Sequence, residues 1–422
     1  MVDVVETLAT ALADRLGDVR RRTLGLFAPL PPEHLVGQPD ALLSPPVWDL
    51  GHIAAYEELW LVRRVGGRPG LHPDLDRLYD ATETPRRDRG TAPLLPPEAA
   101  HGFLRDVRER SLEVLAAADL GDDADPLTRR GFAFEMVVEH EAQHTETVLQ
   151  ALQMLPPGAY VPDGRRRLRD AAGATGGWVE VGPTVFCMGA DGPGFAYDCE
   201  RPCHARAVPA FLMARDPVTN GDHLAFVEDG GYLRRELWTD AGWAWRRAGG
   251  VEAPLYWEGD GAGGWLERSF DRVDPLDPRL PLCHVSAHEA DAHARWAGAR
   301  LPSEVEWECA ARGTPADGEW GNLDQTGFAR APVGAHPANP QGLRGMLGDV
   351  WEWTSSAFGG YPGFSAFPYR EYAEVFFGTA YRVLRGGSWA TQAVAARPSF
   401  RNWDLPERRQ IFSGLRLARD LS

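Results

Sequence analysis

Glu139-His140-Glu141-Ala142-Gln143-His144-Thr145-Glu146 lies inside a stretch, residues 132–155, that contains no Gly or Pro. Within it Phe134, Val137, Val138, Val148, Leu149 and Leu152 recur at roughly helical spacing, which predicts one long helix. His140 and His144 then project from one face about a turn apart, a spacing that lets two imidazoles grip a single metal ion. The order His140-Glu141-Ala142-Gln143-His144 also satisfies the His-Glu-x-x-His pattern of zinc hydrolases, so that chemistry is one reading. The other is an amphipathic helix with two solvent-facing histidines.

Working outward, the first third of the chain reads as helical. Residues 5–26 are amphipathic, and residues 47–65 form a second helix carrying Trp48, Leu50, His52, Ile53, Tyr56, Leu59 and Trp60. Ser44-Pro45-Pro46 offers its start, with Ser44 as N-cap candidate and Pro in the first turn. Residues 71–95 read as a Pro- and Arg-containing loop, and residues 97–118 as a further helix. Four helices of this length predict a bundle, whose sites are built from inward residues of facing helices. His52 sits among apolar neighbours, where a polar ring needs a partner. One hydrogen bond would satisfy it, but together with His140 and His144 it completes a three-histidine set. Three neutral imidazoles leave coordination positions open, which suits zinc or non-haem iron.

The chain has 422 residues, enough for two or three domains, with 44% hydrophobic and 25% charged residues, as in soluble globular proteins. A formal net charge of -16 argues against nucleic acid or an anionic membrane as partner. No apolar run approaches membrane-spanning length, and the N-terminus lacks the features of a signal peptide, so a cytoplasmic location is the expectation. Five cysteines, an odd number, argue against a disulfide framework, and Cys187, Cys199, Cys203, Cys283 and Cys309 are expected as thiols in or near the core. Oligomeric state is left open, a monomer being compatible.

The expected domain organisation is a helical bundle over residues 1–160, a charged linker over 161–177 in which Arg165, Arg166 and Arg167 are solvated, and a mixed domain over 178–422. In the last, short apolar runs near residues 179–182, 185–189 and 210–213 alternate with Gly, Pro and Asp. Helices are expected over residues 220–227 and 286–297, with another beginning in 300–308. No fixed-period repeat is visible.

Five stretches carry a resemblance for this second part: Pro217-Val218-Thr219-Asn220, Arg300-Leu301-Pro302-Ser303-Glu304-Val305-Glu306-Trp307-Glu308, Gly348-Asp349-Val350-Trp351-Glu352-Trp353-Thr354, Arg385-Gly386-Gly387-Ser388-Trp389 and Ser413-Gly414-Leu415-Arg416. They resemble the sulfatase-modifying-factor domain, whose core is similar to the C-type lectin fold. Trp351, Trp353 and Trp389 are expected to pack the core. The formylglycine-generating members use a late cysteine pair, and here no Cys follows Cys309, which argues against that chemistry. The first part, with one His on its second helix and His-x-x-x-His on its last, resembles the DinB-like four-helix bundle. The fusion of the two is similar to the ergothioneine-biosynthesis sulfoxide synthases over essentially the whole chain, and implies an α+β multidomain fold.

That resemblance implies Fe(II) held by His52, His140 and His144. It implies oxidative joining of a thiol sulfur to the imidazole C2 of hercynine with O2. Tyr369, in a Tyr-x-x-Tyr pair with Tyr372, matches the family's catalytic tyrosine, and Tyr361 competes for that role. Tyr372, Asn402, Trp403 and Gln143 match hercynine-binding positions; a quaternary ammonium suits aromatic faces and oxygen dipoles. Arg86, Arg89, Asp404 and Arg408 match the set that binds γ-glutamylcysteine, with arginines for carboxylates and Asp for the ammonium. Cysteine or a selenosugar are the alternative co-substrates. A zinc-dependent hydrolase or thiol transferase, and a non-catalytic binding module, are readings from other classes.

Overall fold

The computed structural model describes residues 2–171, 173, 176–192 and 194–421, with side chains from residue 7 onward. The chain divides into two compact units, one up to Asp163 and one from Gly164. Among the described residues no helix is long and apolar enough to cross a membrane.

The first unit is built on Val2–Phe27 (α1), Pro46–Glu57 (α2), Pro97–Ala117 (α3) and Phe132–Met154 (α4). Each lies where the apolar periodicity places it, with ends shifted by a few residues. Pro46 opens α2, where its missing N–H costs nothing. Ser44 does not cap this helix; the cap position is Pro45, and the Ser44 hydroxyl accepts from Arg89 Nη1 at 2.7 Å instead. Beyond α2 the chain winds on as a π-helix, Glu58–Val65, a widening that an apolar pattern cannot distinguish from α. The predicted loop contains a helical turn, Asp76–Tyr79, and a 3-10 segment, Arg86–Thr91. Leu12, Leu16, Val107, Phe134, Val148 and Leu149 are fully buried along the bundle axis.

A charged cluster lies within that apolar interior, with one residue from each helix. Arg20 of α1 donates from Nε to Glu141 Oε1 of α4 at 2.8 Å and from Nη2 to Glu57 Oε2 of α2 at 2.7 Å. Arg108 of α3 donates from Nε to Glu57 Oε1 at 2.7 Å and from Nη2 to Glu141 Oε2 at 3.0 Å. Thr23 donates to Glu141 Oε1 at 2.8 Å. Two cations and two anions cancel, and nearly every oxygen lone pair meets a donor, which is what a buried charge requires. Burial pushes the Glu57 carboxyl up, but Arg108 and Arg20 outweigh this and hold it at about 2.

The second unit combines short strands with short helices. Strands Trp178–Val181 (β1), Phe211–Ala214 (β4) and Ala418–Asp420 (β12) form one sheet, and Thr184–Met188 (β2) pairs with His204–Val208 (β3) as a hairpin. Trp257–Gly259 (β5), Trp265–Ser269 (β6) and Arg272–Pro275 (β7) make a small antiparallel sheet. The largest sheet has the order β10-β9-β8-β11, from Trp351–Ala357 (β8), Arg382–Arg385 (β9), Asn402–Asp404 (β10) and Ser413–Gly414 (β11). β10 is an edge strand, and its Trp403 lies opposite Val383 of β9. Helices Asn220–Glu228 (α5), Asp240–Gly249 (α6), Ala287–Trp296 (α7) and Glu304–Ala311 (α8) lie between them. Thr219, Ser286 and Ser303 cap α5, α7 and α8, each with an acidic residue three positions on that completes a capping box.

The motif stretches of this unit hold one another. Glu352 accepts from Trp307 Nε1 at 2.7 Å and from Arg416 Nη2 at 2.8 Å. Gly348 has φ +83 and lies against the Asn322 backbone so closely that a Cβ would collide. Trp351, Trp353 and Trp389 are buried, as expected. Two expectations are corrected. Cys187 and Cys203 form a disulfide between β2 and the residue preceding β3, so five thiols are not retained; Cys199, Cys283 and Cys309 stay outside any disulfide and are buried. The odd count obscured a pair brought together by a hairpin. Arg165 is not a solvated linker residue; it pairs with Asp271 of the same unit.

Candidate metal centre and substrate-binding residues

α2 and α4 together place three imidazoles around one point. One ring nitrogen from each of His52, His140 and His144 lies within 4.8 Å of the others. His52 Nδ1 is 2.6 Å from Tyr79 O, and since a carbonyl only accepts, that nitrogen carries the proton. His144 Nδ1 is 2.9 Å from Asp49 Oδ1 and is protonated for the same reason. Both rings therefore turn an Nε2 lone pair inward. His52 Nε2 lies 3.2 Å from His140 Nε2. Two lone pairs at that distance repel unless a proton or a cation lies between them.

The rings are held flat by their neighbours. His140 stacks on Tyr56 with centroids 3.5 Å apart, and His52 stacks on Trp48 at 4.6 Å. The Arg89 guanidinium lies over the Trp48 ring at 3.4 Å from its centroid. Arg89 is buried, donating to Ser44 Oγ at 2.7 Å and to Thr84 O at 2.9 Å, while Arg86 nearby is exposed. Burial lowers the Arg89 guanidinium to about 10. Burial, followed by the neighbouring His144, also drives His52 and His140 well below the ordinary histidine range. Both are neutral at physiological pH, the state in which imidazole binds a metal. Three imidazole nitrogens around one point, two of them with the tautomer set by an outward acceptor, fit a divalent transition metal with positions left open.

Glu141, the glutamate of the His-Glu-x-x-His pattern, is not at this centre. It is fully buried, and both its oxygens accept from Arg20, Arg108 and Thr23. A carboxylate so engaged cannot serve as a hydrolytic base, which removes the feature that favoured a zinc hydrolase. Gln143 is half-buried on α4 and donates to the Glu139 carbonyl at 3.2 Å.

The remaining candidates belong to the second unit. Tyr369 and Tyr372 meet edge to face at 6.4 Å, Tyr372 meets Trp403 at 5.7 Å, and Tyr372 stacks on Tyr197 at 3.9 Å. Asn402, Trp403 and Asp404 are the successive residues of β10. Arg408 Nε lies 3.5 Å from Asp404 Oδ1, and its Nη1 is buried with no hydrogen-bond partner among the described residues. Tyr361 is elsewhere: it is buried in a core cluster with Phe186, Met188 and Trp307, under the Arg401 guanidinium at 4.2 Å. Burial pushes its phenol well above the ordinary range. Sequence reasoning missed Asp49, Tyr79, Tyr56 and Trp48 as supports of the histidines. Asp49 alone left a signal, being a carboxylate three residues before His52.

Residues 15–148 match the model of the DinB superfamily, and residues 169–421 that of the sulfatase-modifying factor enzyme 1-like domain. A hercynine oxygenase of Mycolicibacterium thermoresistibile is 46% identical over 443 residues, covering 97% of this chain and 95% of that protein. The chain belongs to the hercynine oxygenase family. The hercynine oxygenase of Mycobacterium tuberculosis is 44% identical, with 97% of this chain and 99% of that protein covered. The formylglycine-generating enzyme of the same organism is 32% identical over 227 residues, covering 43% of this chain and 72% of its own length. Similarity to the hercynine oxygenases thus runs through both units, whereas that to the formylglycine-generating enzyme covers less than half of the chain.

Proposed function

We propose that this chain is a non-haem Fe(II) enzyme that joins the sulfur of γ-glutamylcysteine to C2 of the hercynine imidazole. The overall change balances: a thiol, an imidazole C–H and O2 give a sulfoxide and water, with four electrons passing to dioxygen, two from the sulfur and two from C2 as its C–H bond becomes C–S. The observation that carries this reading is the convergence of three imidazoles, two with their Nδ1 protons committed outward. When bound, ferrous iron supplies the one-electron chemistry that lets dioxygen react with a closed-shell thiol. His52, His140 and His144 would hold it.

The chain's own groups bind, orient and move protons. Tyr369 is assigned as the donor of a proton from its phenolic oxygen, since Tyr361 is enclosed in its unit's core. The aromatic pair Tyr372 and Trp403 suits a quaternary ammonium, which cannot donate a hydrogen bond, and Asn402 and Gln143 supply amide dipoles for hercynine. Arg408 and the exposed Arg86 are assigned to the carboxylates of γ-glutamylcysteine, and Asp404 to its ammonium. The unpartnered Nη1 of Arg408 favours a ligand bearing a carboxylate. Arg89 contributes through Nη2, whose contact to Ala81 O is long at 3.5 Å.

The test is anaerobic reconstitution with Fe(II), then oxygen, with hercynine and γ-glutamylcysteine, cysteine or a selenosugar in turn, and products read by mass spectrometry. The expected result is a sulfoxide adduct formed fastest with γ-glutamylcysteine. Preferred turnover of cysteine or the selenosugar would overturn the co-substrate assignment, and no oxygen-dependent product with any of them would overturn the function.

A further inference from the structure

α2 carries a donor of the candidate centre, His52, and three residues earlier a carboxylate, Asp49, that holds a donor of the opposite helix. Asp49 is 1% exposed. Its Oδ1 accepts from His144 Nδ1 at 2.9 Å, while its Oδ2 is buried with no hydrogen-bond partner among the described residues. A buried carboxylate with one oxygen unanswered is unfavourable by itself. Its position in the first turn of α2 and the nearby Arg89 guanidinium offset this in part. A divalent cation on the far side of His144 would offset it further, because the imidazole couples the carboxylate's negative charge to the metal.

We infer that Asp49 is a positioning residue that couples the metal to the fold. It fixes the His144 tautomer so that Nε2 faces inward, and its charge tightens divalent-metal binding while lowering the metal's reduction potential. Two features separate this role from packing. The charge acts across an imidazole, so an isosteric neutral side chain keeps the shape and loses the effect. The unpartnered oxygen makes the charge unfavourable without metal and favourable with it. Removing the charge should therefore weaken metal binding without weakening the metal-free fold.

This inference rests on the metal-centre reading, and one experiment tells the two apart. Asp49→Asn is compared with the unaltered full-length chain for metal-free melting temperature and for anaerobic binding of Fe(II), with Co(II) as a spectroscopic probe. Binding by the unaltered chain that is lost in His140→Ala upholds the centre; no binding by the unaltered chain overturns it, and the inference with it. With the centre upheld, Asp49→Asn should weaken Fe(II) and Co(II) about 10- to 100-fold. Its metal-free melting temperature should hold or rise, and its Fe(III)/Fe(II) potential should shift upward. Metal affinity within twofold of the unaltered chain would overturn the role of Asp49, as would a loss of affinity accompanied by a lower metal-free melting temperature.

Discussion

Replacing Glu141 by glutamine separates two meanings of the same motif. If Glu141 were a hydrolytic base, the variant would keep its fold and lose its chemistry. The buried cluster predicts the reverse emphasis. Glu141 accepts from Arg20 Nε, Arg20 Nη2, Arg108 Nη2 and Thr23 Oγ1, and Glu57 is the other anion of the set. The amide keeps one acceptor oxygen but turns an NH2 toward the guanidinium donors. The cluster passes from neutral to one uncompensated positive charge, with Arg20 and Arg108 left sharing Glu57. Breaking a buried pair in this way costs roughly 3–5 kcal/mol. For a unit of this size that corresponds to a melting temperature lowered by roughly 6–20 °C. The assay is thermal unfolding of the full chain followed by circular dichroism, with metal content measured below the transition. A shift under about 2 °C together with abolished turnover would refute the structural assignment and restore Glu141 to a chemical role.

Acid should act on the same cluster. Glu57 is held at about 2 against an ordinary 4.5, so its stabilisation is complete above the ordinary value and lost as pH falls toward 2. The loss amounts to about 3 kcal/mol, readable as a falling urea midpoint that Glu57→Gln flattens. In the second unit, burial chiefly holds His293 at about 4 against 6.5, with its Nδ1 3.1 Å from His223 Nδ1. The unfolded chain binds that proton first, so stability is present above 6.5 and falls by about 3 kcal/mol toward pH 4; unchanged hydrogen exchange on α5 and α7 over that window would count against it. Gly51→Ala builds a Cβ into the Tyr79 ring, whose residue's carbonyl holds His52. Overpacking there should cost about 1–3 kcal/mol and loosen metal retention, and a variant binding Fe(II) as tightly as the parent would show that Tyr79 does not set His52.

The helices were legible because each pairs an unbroken apolar period with a Pro or Gly boundary, as residues 132–155 do between Gly131 and Pro156. The three histidines were legible because two share a helix face and the third sits where a lone imidazole would be unsatisfied. Their supports were not. His144 and Asp49 are 95 residues apart, and His52 takes a backbone carbonyl that has no sequence signature at all. Glu141 misled because local order resembled a motif, while the groups that engage it, Arg20, Thr23 and Arg108, lie on other helices with no shared period. In the second unit, Asp240–Gly249 and the small sheet from Trp257 to Pro275 escaped notice. Their strands are three to five residues long, too short for alternation to rise above noise.

The convergence of α2 and α4 on one point has a consequence for the life of the molecule. His52 and His140 are 88 residues apart in the chain, so an ion bridging them acts as a removable cross-link between distant segments. Such a ligand favours only the folded form, adding about 2.7 kcal/mol at a hundredfold excess over its dissociation constant. Chains made when the ion is scarce would open more often and meet proteases sooner.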